Sequence, residues 1–340
     1  MEEPAEAPYA HWLSDFVPDE KPPIIGALTA DKISCGRLSN VIVATPTNYD
    51  TRTNRFDTST VEGVIAQARN VPTFAFSVGI GPLKGGEERA AVRDGMNMMT
   101  GITVREIGAK RLLEEIGCTR PVTVTADPAL LLDPAPFTDD MLRAEGIPAD
   151  RRLIGLSIRE RGAAAPDLDA GGYHGLLAQA ADFIVHRYDA QVVFVPMERA
   201  DLREAHQVIA AMSAPHCASV LRGSYSPREI LGLMGHFQFA LGMRLHFLIF
   251  AAISGVPLMA LPYASKLADF LDVLGVPRRA GVHEDGAGSL LAALDRLWDN
   301  REDHCREVRE RVVLLQGQAR RTVPLMVETL NLRSAAPVDS

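Results

Sequence analysis

Beyond residue 40 the chain alternates short apolar runs with longer stretches in which apolar positions recur every three to four residues. The runs NVIVA (40–44), TFAFSVGIG (73–81), ITV (102–104) and VTVTAD (122–127) combine apolar and β-branched residues, as expected of parallel strands. Stretches around 60–70, 85–99 and 107–117 between them carry the helical period. This alternation predicts an α/β layer with a parallel sheet. The segment DPAPFTDDMLRAEGIPADRR (133–152) is rich in proline and charge and is the expected interdomain connection.

A second series follows it. LIGLSI (153–158), QVVFVP (191–196), FALG (239–242) and VPLMALP (256–262) read as strands. GLLAQAADFIVHRY (175–188), DLREAHQVIAAM (201–212), SPREILGLMGHF (226–237) and MRLHFLIFAAIS (243–254) read as helices, with Ser226 and Pro227 at cap and first-turn positions. Helices near 264–275, 286–298 and 302–333 complete the chain, and 1–38 is expected to be an irregular arm. The second half is thus the fuller doubly wound domain. Length agrees: 340 residues favour two domains of roughly 150 residues each.

Charge narrows the partners. Lys and Arg number 35 against 43 Asp and Glu, a formal charge of −8, which argues against a dedicated nucleic-acid binder and requires any anion to be held by a local arginine cluster. Cys35, Cys118, Cys217 and Cys305 lack metal or disulfide-framework spacing, so a reducing, cytoplasmic setting is expected. The N-terminus has no secretory-signal pattern. The most apolar stretch, 245–263, is broken by His246, Ser254, Gly255, Pro257 and Pro262, so no transmembrane segment is expected.

The words GIGPL (79–83), ITVREIGAKRLLEEIG (102–117), PVTVTADPALLL (121–132), GLSIRER (155–161), FVPMERAD (194–201) and GMRLHFLIFAAISGVPLMALPYASKLADFLDVLG (242–275) occur in an order that resembles the polysaccharide pyruvyltransferase family. The resemblance implies two Rossmann-like, GT-B-like α/β domains with parallel sheets, flanking helices and a site in the cleft between them. It divides the chain into a reduced N-terminal acceptor domain, 1–140, and a donor domain, 141–340, that includes the C-terminal helices. The implied activity moves a pyruvyl group from phosphoenolpyruvate to the hydroxyls of a sugar or glycoconjugate as a ketal. The departure lies near the N-terminus, where VATPTNYDTRTN (43–54) places Thr45 and Pro46 at positions where glycines are expected. A small metabolite or antibiotic precursor as acceptor, a nucleotide-sugar glycosyltransferase of the same fold, and a binding protein without catalysis therefore stand as alternatives.

The candidate residues cluster at strand ends. Arg244 and His246 open the helix after FALG, where free N–H groups and the helix dipole favour an anion; the competing readings are a surface ion pair and a core histidine. Arg159 ends LIGLSI and Arg161 follows, at the sheet edge where α/β proteins bind ligands, though strand-end arginines are often merely solvated. Phosphoenolpyruvate offers a phosphate and a carboxylate for guanidinium groups. Arg159 and Arg244 are the expected donor clamp, and His246 the expected proton-transfer group. The loop RGAAAPDLDAGGYHG (161–175) reads as either a lid or a plain surface loop.

Gly79 and Gly81 read as a tight turn or a ligand contact. Arg105 reads as donor-binding or as paired with Glu106 or Asp127, and Asp127 as a turn or cap residue more than a catalyst. Glu198 and Asp201 suit acceptor hydroxyls, with Asp201 equally an N-cap, and Lys266 suits phosphate or plain solvation. The resembling words add Ser157 and Leu245 as substrate-binding residues. No cofactor or metal is implied, phosphoenolpyruvate being a co-substrate. The expected partners are this donor and a hydroxyl-bearing acceptor, with homo-oligomerisation left open.

Overall fold

The computed structural model describes residues 36–38, 41–44, 73–81, 83, 85–161, 168–261, 265–276 and 286–334. The helix expected at 60–70, Thr45, Pro46 and most of the arm expected over 1–38 lie outside these residues. The chain divides into two compact units, Met1–Leu132 with Leu314–Ser340, and Asp133–Val313.

In the first unit the sheet runs β1 (Gly36–Leu38), β2 (Val41–Ala44), β3 (Thr73–Val78), β4 (Gly101–Val104), β5 (Val122–Val124), all parallel except β1 against β2. Every residue of β3 is buried, which is why its sequence is continuous and not alternating. Helices α1 (Gly86–Met98) and α2 (Ile107–Glu115) connect β3 to β4 and β4 to β5. Ser77 takes a φ of 48°, in the left-handed region, and the β3–β4 register slips between Ala75 and Val78. Its hydroxyl pairs at 2.9 Å with Thr125 and at 2.9 Å with Thr322, so side-chain hydrogen bonds hold the strained residue in place.

The second unit contains an all-parallel sheet in the order β10 (Leu258–Ala260), β9 (Phe237–Gly242), β6 (Arg152–Ser157), β7 (Ala190–Phe194), β8 (Ala218–Val220). The chain begins in the middle, builds outward through β7 and β8, then returns to the other side of β6 with β9. That reversal makes the β6–β9 seam a topological switch point, the place where open α/β sheets take ligands at their carboxyl ends. Helices α4 (Ala170–Tyr188), α5 (Arg199–Ala211), α6 (Pro227–Met234) and α7 (Leu245–Ile253) link the strands, with α8 (Ser265–Leu274) and α9 (Gly286–Asp299) following β10. Ile154, Leu156, Phe194, Phe239 and Leu241 from the strands meet Tyr173, Leu177, Ile184, Leu290 and Leu294 from the helices in one buried cluster.

Four expectations are corrected. The 133–152 connection contains helix α3 (Asp139–Ala144), capped where Thr138 Oγ1 accepts from Met141 N at 3.3 Å, and it buries Phe137, Leu142 and Ile147. Its apolar residues are too sparse to show a period. The loop expected over 161–175 is already helical from Ala170, capped by Asp169, while 162–167 lie outside the described residues. The single helix expected at 302–333 is two, α10 (Arg301–Arg320) and α11 (Thr322–Ser334). Val323 and Met326 of α11 pack on Phe74 and Phe76 of β3, so this tail belongs to the first unit and not, as expected, to the second.

Candidate functional site

At the carboxyl end of the first unit's sheet, Arg105 follows β4. Its Nε donates to Glu106 Oε2 at 3.0 Å and its Nη1 to Asp127 Oδ2 at 2.7 Å, so both pairings weighed from sequence are present. Burial works against its charge, but Asp127 and Glu106 outweigh this and raise its pKa. A Cβ on Gly79 would lie 2.6 Å from Arg105 Nη2, so the glycine makes room for this guanidinium. Gly81 has a φ of 105°, which favours glycine directly. Asp127 also caps the 3₁₀ turn Pro128–Leu131, accepting from Ala129 N at 3.0 Å. This corner is an ion cluster in which one guanidinium is matched by two carboxylates.

At the switch point of the second unit, Arg159 follows β6 and Arg244 follows β9, adjacent strands whose ends pair Ser157 with Gly242. Arg244 occupies the N-cap position of α7 in extended conformation, and its side chain makes no cap hydrogen bond to the helix. It is 7% exposed and gripped by carboxylates. Nε donates to Asp201 Oδ2 at 3.0 Å, Nη2 to Asp201 Oδ1 at 2.5 Å and to Glu198 Oε2 at 2.9 Å, and Nη1 to Glu198 Oε1. Asp201 Oδ2 also accepts from Met197 N and Glu198 N, each at 3.1 Å. Glu198 is therefore the N-cap position of α5 and Asp201 reaches back from its first turn, rather than Asp201 being the cap itself. Burial pushes the Asp201 carboxyl up and the Arg244 hydrogen bonds pull against it. For Arg244, burial works to lower the pKa, but these same bonds and charges prevail and raise it.

The two arginines share a third carboxylate. Arg159 Nη2 donates to Glu160 Oε1, and Glu160 Oε2 lies 3.6 Å from Arg244 Nη2. Although burial raises the pKa of Glu160, the Arg159 hydrogen bond and charge outweigh it and hold the carboxyl below its ordinary value. The Arg159 carbonyl accepts from Tyr173 Oη at 2.7 Å, which ties the turn to α4. Burial, then the charge of Glu204, raises the Tyr173 phenol well above its usual range. Beside Tyr173, His174 Nε2 sits 2.8 Å from Glu204 Oε2.

The remaining candidates are distributed around this edge. His246, one residue into α7, is half-buried with its ring centroid 6.5 Å from that of Phe250. Leu245 is buried. Ser157 is fully buried, and its hydroxyl donates to Val195 O at 2.9 Å, an internal tie between strands. Arg161 donates to Leu168 O. The side chain of Lys266 lies outside the described residues. Glu160, Tyr173, His174 and Glu204 were missed by sequence reasoning. Glu160 stands inside the quoted word GLSIRER, whereas nothing in GGYHG marks Tyr173 as a buried phenol. Among the described residues no group of three His, Cys, Asp or Glu is placed to hold a metal, and no helix is long and apolar enough to cross a membrane.

A family model described as polysaccharide pyruvyl transferase matches residues 12–265. No curated protein matches the sequence. Similar solved structures include the S. aureus MnaA–UDP co-structure, with a TM-score of 0.61, 14% identity and coverage of 88% of this chain and 79% of that one. Another is the UDP-GlcNAc 2-epimerase from Neisseria meningitidis bound to UDP-GlcNAc, with a TM-score of 0.56, 13% identity and coverage of 85% and 75%. At these identities the likeness is one of fold: α/β of the GT-B type.

Proposed function

We propose that this chain, which belongs to the polysaccharide pyruvyl transferase family, transfers the pyruvyl group of phosphoenolpyruvate to two hydroxyls of a sugar or glycoconjugate as a ketal, with release of phosphate. The observation that carries this reading is that Arg159 and Arg244, from adjacent strand ends at a switch point, both face one carboxylate, that of Glu160. A seat between two guanidinium groups suits a ligand with a carboxylate and a phosphate. Arg159 is the group we assign to contact with the donor. Arg244, bound to Asp201 and Glu198, supports the seat from behind.

In this scheme a proton adds to the donor's methylene carbon, a hydroxyl attacks the neighbouring carbon, phosphate departs and a second hydroxyl closes the ketal. Of the two hydroxyl protons, one ends on the new methyl group and the other leaves with phosphate. His246 is assigned to proton transfer, since imidazole changes protonation near working pH and such help is worth roughly 10² to 10⁴ in rate. The donor is a cytoplasmic metabolite, and we place the reaction there.

Phosphoenolpyruvate is expected to raise the melting temperature, by up to about 2.7 kcal/mol of stabilisation at a hundredfold excess over Kd, while His246→Ala keeps that stabilisation and loses turnover. Full turnover in His246→Ala removes the imidazole from the scheme. Stabilisation by a nucleoside diphosphate but not by phosphoenolpyruvate replaces the donor with a nucleotide sugar.

A further inference from the structure

The cluster at the β6–β9 seam holds two guanidinium groups, Arg159 and Arg244, against three carboxylates, Glu160, Glu198 and Asp201. It carries an excess of negative charge, so a dianion approaching it is repelled unless one carboxylate leaves. Asp201 is 1% exposed and fixed by Arg244 and two backbone amides. Glu198 is held by both terminal nitrogens of Arg244.

Glu160 is held differently. Its side chain is no more exposed than that of Glu198, 36% against 37%, but only one oxygen accepts a hydrogen bond, from Arg159, while the other is buried, accepts none and lies 3.6 Å from Arg244 Nη2. A buried carboxylate oxygen without a hydrogen bond is costly, and that cost is recovered when the side chain turns out to water.

We propose that Glu160 is a resident occupant of the donor's anion seat, whose carboxylate swings away from Arg159 and Arg244 when a dianionic ligand binds. This rests on the assignment of the seat to phosphoenolpyruvate. The residue then sets specificity by charge. A ligand must place enough negative charge between the guanidinium groups to replace the carboxylate it displaces, which a dianion does and a neutral hydroxyl compound does not. The empty seat is filled by the protein's own anion, so Arg159 keeps a charge partner there while Arg244 keeps Asp201 and Glu198 throughout.

The test is calorimetric titration of the full chain with phosphoenolpyruvate and, separately, with inorganic phosphate, for wild type, Glu160→Gln, Glu160→Ala and Arg159→Ala. Removing the competing charge while keeping the shape, as in Glu160→Gln, is expected to tighten both ligands about tenfold, the order set by lifting one carboxylate's repulsion in a partly solvated site. Glu160→Ala is expected to move in the same direction, and Arg159→Ala to lose binding. Equal or weaker binding in both Glu160 variants, with wild type and Arg159→Ala behaving as stated, overturns the occupant role and leaves the donor assignment standing. Silence towards phosphoenolpyruvate in every protein overturns the donor assignment instead. The phosphate titrations then decide the occupant role: tighter binding in Glu160→Gln upholds it, and unchanged binding ends it.

Discussion

Arg244 shows how one residue carries two meanings. Its place after a strand and before a helix is an anion-binding position, and the sequence displays that place. Its partners, Glu198 and Asp201, lie more than forty positions earlier and are brought to it by the β6–β7–β9 neighbourhood. Asp201 is buried, and a buried carboxylate that loses its cation is expensive, so Arg244→Ala is expected to destabilise the fold by about 3–5 kcal/mol, as judged by denaturant unfolding. Arg244→Lys keeps a charge but loses the planar fork that spans both carboxylates, and is expected to fall between the two. A wild-type unfolding midpoint in Arg244→Ala would show that the cluster contributes nothing to stability. Arg105 follows the same logic in the other unit, with Gly79 left bare so that its guanidinium fits.

Among the elements, α7 and α6 differ in how much of themselves they display in sequence. Helix α7 buries seven of its residues, Leu245, Phe247, Leu248, Ile249, Phe250, Ala251 and Ala252, so its apolar run identifies a buried helix directly. Helix α6 is announced by its cap, Ser226 Oγ accepting from Glu229 N at 3.3 Å while Pro227 fills the first turn. What the sequence hides is the surface α6 meets. Gly232 faces the 133–137 segment so closely that a Cβ would lie 1.9 Å from Ala135 O. Because that oxygen belongs to backbone also tied to the helix by Ala135 N donating to Arg228 O at 2.9 Å, it has little room to retreat. Gly232→Ala, which an isolated helix would welcome, is therefore expected to cost about 1–3 kcal/mol or more in denaturant titration. A stabilised variant would show that the segment shifts freely.

On the scale of the whole molecule, the chain returns its last helix to the unit it began with. Thr322 joins the Ser77–Thr125 hydroxyl network, and Val323 and Met326 cover Phe74 and Phe76, which are 2% and 6% exposed. A chain ending at Arg321 is expected to uncover these rings and leave Ser77 strained without one of its two hydroxyl partners. Limited proteolysis should then cut within 73–132 while 133–313 resists; equal resistance of both units would show that the tail is dispensable. Met326→Ala alone is expected to cost about 2–5 kcal/mol.

The sequence by itself determined most of the strand and helix succession, though not β1, β8, α3 or the break between α10 and α11, together with the largely parallel character of the sheets and the positions of Arg159, Arg244 and His246 at strand and helix ends, because burial on two faces and the helical period are local constraints written in neighbouring residues. The words around those positions were also sufficient to indicate the family. Tertiary structure alone decided that Glu160 lies between the two arginines, that Glu198 and Asp201 bind Arg244, that Arg105 reaches Asp127 across the β4–β5 edge in addition to its neighbour Glu106, and that α11 closes the first unit. Each of these joins residues separated by a strand order or by most of the chain, and such pairings are set by which strands become neighbours, which no local pattern encodes.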